Sequence, residues 1–108
     1  MPTPEDPVDF AHTEHASASR HAKALTIARF AWDRAITATE LAEFPDDRRR
    51  TLARAAGAKP PSPETWQAAV DLLDTKRRWA GTHPDHPAAA HPHADEKILW
   101  VKPPVTPW

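Results

Sequence analysis

The chain of 108 residues lacks cysteine and has only two glycines, Gly57 and Gly81. Without cysteine it can form no disulfide bond, thiol nucleophile or cysteine-ligated zinc site. Two isolated glycines cannot build a glycine-rich phosphate-binding loop. No apolar run approaches the roughly 20 residues that a transmembrane helix needs, and the acidic first twenty residues do not resemble a signal peptide. We therefore expect a cytoplasmic protein that makes no contact with a membrane.

Proline is abundant: the chain has 13, and nine of them lie in residues 1–18 and 81–108. Because proline interrupts helices, the chain is predicted to divide into three parts. These are an acidic N-terminal arm (1–18), a helical domain (19–80) and a C-terminal arm (81–108) rich in histidine, proline and tryptophan. The net charge of −1 conceals an excess of acidic residues in the first part and of basic residues in the second half of the domain. Frequent alanine, arginine and proline favour a bacterial or phage origin.

The first predicted helix covers residues 19–44, in which apolar side chains flank one polar stripe on both sides. The stripe repeats every three or four residues and contains Thr26, Arg29, Asp33, Thr37 and Glu40. So wide an apolar surface has to be covered on two sides. Phe44 is predicted to end the helix, because a residue before proline is forced out of the helical region.

A short second helix is predicted over residues 46–56. Asp46 or Asp47 can cap its start, and Gly57 suits the left-handed residue that often follows a helix. Its inward-facing residues are predicted to be Leu52, Ala55 and Ala56.

The third predicted helix has the clearest ends. Ser62 is a good N-cap, Pro63 suits the first turn, and Gly81 is expected to end the helix. Its buried face is predicted to contain Trp66, Ala69, Val70 and Leu73, with Leu72 and Trp79 alongside. Its last turn is predicted to contain Lys76, Arg77 and Arg78, because cations are favoured at the C-terminal end of a helix.

The predicted fold is therefore all-α, a small three-helix body with extended proline-rich N- and C-terminal arms. In the C-terminal arm, residues 97–102 are predicted to form a short strand with Ile98 and Trp100 on one face. Residues 103–108 are typical of polyproline II and end in Trp108. These aromatic side chains are expected to pack either on the protein's own body or on a partner.

Residues 51–73 resemble the core of a helix-turn-helix. The resemblance is carried by the run from Thr51 to Gly57, by Ser62-Pro63-Glu64-Thr65-Trp66, and by Val70 and Leu73. The turn is about three residues longer than in that family, and the would-be recognition helix has the carboxylates Glu64, Asp71 and Asp74 on its outer face. The resemblance implies a DNA-binding regulator, in which Thr65 and Gln67 face bases and Arg48, Arg49, Arg50 and Lys59 face phosphates. The alternative is an ordinary helical hairpin.

Histidines form a second candidate group. His83, His86, His91 and His93 lie in one proline-rich segment, and His12 and His15 are three residues apart. Imidazoles at such spacings can bind zinc, copper or nickel, but here no predicted helix or hairpin fixes their geometry. We expect histidines exposed in a polar tail, with no metal and no other cofactor.

Nothing in the sequence predicts catalysis. Ser17 and Ser19 lie in an alanine-rich stretch rather than at a strand-to-helix elbow, and no carboxylate pair has the spacing for acid–base work. The chain is therefore expected not to be an enzyme.

The leading hypothesis is a non-catalytic accessory protein that docks on a larger protein, within a nucleoprotein assembly or otherwise. Self-association into a homo-oligomer is a second form of this hypothesis. Tryptophan and arginine dominate binding hot spots. The predicted anchors are Ile98, Trp100, Val101 and Trp108, and the predicted charged rim is Arg48, Arg49, Arg50 and Arg54. Alternatively, Asp46 and Asp47 neutralise these arginines on a solvated face. The DNA-binding regulator remains the runner-up.

Overall fold

The computed structural model describes residues 20–100, which form four α-helices, two short 3-10 helices and no strand. The all-α prediction is confirmed for this part of the chain. The helices are α1 (Arg20–Asp33), α2 (Ala38–Ala42), α3 (Asp46–Ala56) and α4 (Pro63–Thr82), and the 3-10 helices are Pro87–Ala89 and Ala94–Leu99. No helix among these residues is both long and apolar enough to span a membrane.

The long first helix predicted over 19–44 is wrong, because the chain turns after Asp33. The Ile36 N–H donates to the Ala31 carbonyl at 3.0 Å and the Ala35 N–H donates to the Trp32 carbonyl at 2.9 Å. This is a Schellman end, and its left-handed residue is Ala35, with φ 58°. Sequence analysis missed the end because glycine normally occupies this position.

A capping box starts α2 directly after that turn. The Glu40 N–H donates to the Thr37 hydroxyl, and the Thr37 N–H donates to the Glu40 carboxylate, both at 3.0 Å. These reciprocal bonds satisfy two backbone groups at the start of a five-residue helix, which would not form by propensity alone.

Helix α3 has the predicted bounds but not all of the predicted contacts. Pro45 precedes it without a side-chain cap, so the capping role predicted for Asp46 or Asp47 is wrong; both lie in the first turn. Gly57 has φ 89° and ends the helix as predicted. Leu52 is buried as predicted, but its buried neighbour is Ala53 rather than Ala55. Alanines lie on several sides of this helix, so the sequence pattern does not indicate which of them are buried. Packing against α1 decides it.

Helix α4 starts as predicted and continues further than predicted. The Ser62 hydroxyl accepts the Thr65 N–H, and Pro63 is the first helical residue. The helix runs to Thr82, so Gly81 does not end it and the predicted last turn at 76–78 lies inside it. The predicted inner face is confirmed: Trp66, Ala69, Val70 and Leu73 are all buried.

The core forms where α1 packs against α4 on one flank and α3 on the other, while α2 also packs on α4. Trp66 is buried at its centre, and its indole Nε1 donates to the Leu41 carbonyl at 2.9 Å. Lys76 is also buried, with Nζ 5.3 Å from the ring centres of both Trp32 and Trp79. The core therefore extends toward the C-terminal end of α4, where the Lys76 side chain lies near two indole rings.

After α4 the chain folds back over the helices through residues 83–100, called here the covering segment. The His93 N–H donates to the Asp33 carbonyl at 2.6 Å, which joins this segment to the end of α1. The strand predicted over 97–102 is wrong for the residues that the structure describes, because residues 97–99 belong to the 3-10 helix Ala94–Leu99. A strand needs a neighbouring strand to pair with, and this segment lies on helices instead.

Candidate protein interaction surface

Two histidines hold the start of the covering segment against Trp79. The His83 ring stacks on this indole at 4.9 Å, and the His86 ring meets it edge-on at 4.8 Å. The His83 Nδ1 lies 3.0 Å from the Trp79 carbonyl, and the His86 Nδ1 accepts the Ala88 N–H at 3.0 Å. These contacts hold the start of the covering segment against the last turns of α4.

His91 makes the same kind of contact further along. Its Nδ1 lies 2.9 Å from the Trp32 carbonyl, and its ring centre is 4.2 Å from the Trp32 ring. The prediction of histidines in a plain polar tail misses this arrangement, which joins three imidazoles to two buried or half-buried indoles. Within residues 20–100 no group of three or more His, Asp or Glu could hold a metal ion. His12 and His15 lie outside the described residues.

Ion pairs hold the second half of the covering segment. Two guanidinium nitrogens of Arg34 lie 3.0 and 3.1 Å from Glu96 Oε2, and the same guanidinium covers the Phe30 ring at 3.5 Å. The Lys97 ammonium lies 3.2 Å from Glu40. Burial alone would raise the pKa of Glu40, but hydrogen bonds from Thr37 and the charge of Lys97 lower this pKa below its ordinary value of 4.5.

Trp100 packs on the protein's own body. Its ring meets Phe30 edge-on with 5.1 Å between the ring centres, and its indole Nε1 is buried. The Trp100 carbonyl accepts a hydrogen bond from Arg48 Nη1 at 3.3 Å. Of the two placements that sequence analysis left open, the structure therefore shows the intramolecular one for this residue. Val101 and Trp108 lie outside the described residues.

Ile98 and Leu99 are the exposed large hydrophobic residues of the described chain, with 81% and 73% of their surface accessible. We call them the apolar pair. They lie between the ion-paired Lys97 and the packed Trp100, so the backbone that bears them is attached to the body on both sides. Sequence analysis named Ile98 but missed Leu99, because the assumed strand put alternate residues on opposite faces. The adjacency of two large aliphatic residues in a polar arm was the available signal.

The four arginines of the predicted rim are placed in three different ways. Arg49 donates to the Phe44 carbonyl at 2.8 Å, and its guanidinium lies 5.2 Å from the centre of the Trp66 ring. Its side chain therefore packs on the helical body and is not free to contact a partner. Arg48 borders the apolar pair through its bond to the Trp100 carbonyl. Arg50 and Arg54 are exposed, one helical turn apart. In the part of the chain that the structure describes, no ion pair joins these arginines to an aspartate.

The residues of the helix-turn-helix hypothesis are differently placed. Thr65 is buried, and its hydroxyl lies 3.0 Å from that of Ser62, so this side chain does not face solvent where a base would bind. Gln67 is exposed, and its amide donates to Asp71 at 3.0 Å. Lys59 is exposed in the loop between α3 and α4.

The apolar pair, its anchors and Arg48 thus form one surface at the end of the covering segment. No protein-family model, curated protein or solved structure matches this chain.

Proposed function

We propose that this chain is a non-catalytic accessory protein that docks on a larger protein through the apolar pair. The observation that carries the proposal is the exposure of two adjacent large aliphatic side chains on an anchored backbone. Leaving both in water forgoes roughly 1.5–3 kcal/mol of burial free energy for each side chain, which a partner's groove would recover. Their adjacency makes them a focused anchor rather than scattered surface residues.

The anchoring of the covering segment supports this role. Arg34 and Glu96 on one side, and Trp100 on Phe30 on the other, hold the apolar pair in one place before any partner arrives. A partner would then pay little conformational entropy to order these residues, and the binding free energy would be correspondingly more favourable. In this proposal Trp100 positions the pair, and Val101 and Trp108 extend the contact.

The arginine beside the pair indicates the chemistry of the partner. Arg48 donates to the Trp100 carbonyl at the end of the covering segment, whereas Arg50 and Arg54 are exposed on another face of the same helix. We infer an apolar groove bordered by carboxylates, because such a rim would complement Arg48 and steer association.

The test is a pull-down with the full chain as bait from a lysate of its source organism, with and without nuclease. Wild-type protein is compared with Ile98→Asp/Leu99→Asp and with the control Ala90→Asp, which adds one carboxylate at an exposed site of the same covering segment. We expect a protein that the wild type and the control retain, with or without nuclease, and that the double variant loses at least about tenfold. All substituted side chains are exposed, so circular dichroism should match among the three.

Recovery of the same proteins by the double variant would contradict docking through the apolar pair. Self-association is checked by light scattering: a wild-type oligomer that the double variant abolishes would assign the pair to a homo-oligomer instead of a larger partner.

The DNA-binding alternative has one supporting observation, the exposed Arg50 and Arg54 one turn apart on α3. If they bind phosphates, affinity for a DNA duplex should fall steeply between about 50 and 200 mM salt and drop further in Arg50→Ala/Arg54→Ala. Fluorescence anisotropy measures both effects. Capture that disappears with nuclease would favour this alternative over the protein partner.

A further inference from the structure

A cavity of about 300 Å³ lies between the ends of α1 and α4 and the covering segment, and the apolar pair is not part of its lining. Most of its wall is apolar or small: Trp32 and Ala35 come from the end of α1, Ala80 and Gly81 from α4, and a proline and an alanine from the covering segment. Two polar side chains, Arg77 and His91, complete the lining. Its volume is at the lower end of small-molecule sites.

Arg77 brings an uncompensated positive charge to this cavity. Within residues 20–100 no carboxylate pairs with it, whereas its neighbour Arg78 lies 3.0 Å from Asp74. An arginine fork beside an apolar wall is suited to a carboxylate that carries an apolar body.

His91 offers a second polar atom in a defined state. The Trp32 carbonyl can only accept, so the Nδ1 that lies 2.9 Å from it carries a proton. The other nitrogen, Nε2, is then a hydrogen-bond acceptor in the neutral ring. Its position is fixed because the ring packs on Trp32.

The cavity wall also contains the one residue besides Gly57 with positive φ in the described chain. Ala35 has φ 58°, which the Schellman end of α1 requires, and this residue adds to the apolar part of the wall.

We propose that this cavity binds a compact monocarboxylate with a ring-sized apolar body. The carboxylate pairs with Arg77 rather than with the acceptor Nε2 of His91, while the body packs on the wall formed by Trp32, Ala80 and Gly81. The apolar pair does not line this site, so the binding proposal is tested independently of the docking proposal.

Isothermal titration with phenylacetate and with its uncharged analogue phenylacetamide tests the proposal on the full chain. We expect saturable binding of phenylacetate that is at least about tenfold tighter than that of phenylacetamide. Arg77→Gln should remove this preference, and the matched control Arg78→Gln should keep it. Equal binding of the two compounds, no saturation below about 10 mM, or an equal loss in both variants would overturn the proposal.

A second variant, Gly81→Leu, adds a side chain at the cavity wall. Gly81 lines the cavity, a Cβ atom there would meet no atom within 4 Å, and leucine favours a helix more than glycine does. We expect this variant to keep its circular dichroism spectrum and lose phenylacetate binding. Unchanged affinity in the folded variant would show that the ligand binds elsewhere and would overturn the assignment.

Discussion

The helical core and the covering segment are held together by different physical interactions. In the core, α1 and α4 meet through alanine, leucine and tryptophan, and Trp66 is only 2% exposed. The covering segment has no fully buried apolar residue; it is attached by imidazole–indole contacts, the half-buried Trp100 on Phe30, ion pairs and single backbone hydrogen bonds. Regions with few buried apolar contacts open at lower free energy than the core. The segment is therefore expected to detach before the body unfolds.

The largest effect should come from the core. Trp66→Ala removes a buried indole and its bond to the Leu41 carbonyl, so the free energy of unfolding should fall by about 3–5 kcal/mol. Chemical denaturation measures it. The neighbouring Gln67→Ala, at an exposed position, should change stability by less than about 0.5 kcal/mol. A similarly small loss of unfolding free energy in both variants would contradict the placement of Trp66 in the core.

A smaller and local effect is expected in the covering segment. Trp100→Ala loses an edge-to-face pair that contributes about 0.5–1.5 kcal/mol beyond its buried area. Hydrogen exchange should speed up at the amides of residues 94–100 and change little in α4. Leu99→Ala is the control, because its side chain is exposed and makes no such contact. Faster exchange throughout α4 would show that segment and core unfold as one unit.

The smallest effect concerns the link between the two regions, Glu40 and Lys97. Because the folded pKa of Glu40 lies below its ordinary 4.5, its charge contributes stability above that value. The contribution is lost as the pH falls through the folded pKa. Glu40→Gln should therefore be less stable than wild type near pH 7, by less than about 1 kcal/mol for a partly exposed pair, and the difference should shrink below pH 4.5. Thermal melts of both proteins from pH 7 to pH 3 check this, and a difference that grows in acid would contradict it.

Local sequence signals predicted much of the core. Ser62 and Pro63 mark the start of α4, Gly57 marks the end of α3, and the spacing of apolar residues gives the buried face of α4. The end of α1 could not be predicted in the same way. Ala35 has no local preference for a left-handed conformation, and the buried Ile36 that follows it fixes the turn through tertiary packing.

The candidate site was predicted less completely, for a related reason. Ile98 and Arg48 were named from residue type, whereas Leu99 and the anchors Arg34 and Glu96 were not. Arg34 and Glu96 are 62 positions apart, and no periodicity joins residues at that distance. Only the path of the covering segment brings them together.

By itself the sequence determined that this protein is all-α and where most of its helices begin, because helix periodicity, caps and proline act over a few residues. The tertiary structure decided which arginines remain free, that Trp100 faces inward, and that the apolar pair stays exposed. Those outcomes depend on long-range packing, in which the burial of one side chain is set by residues far away in the chain.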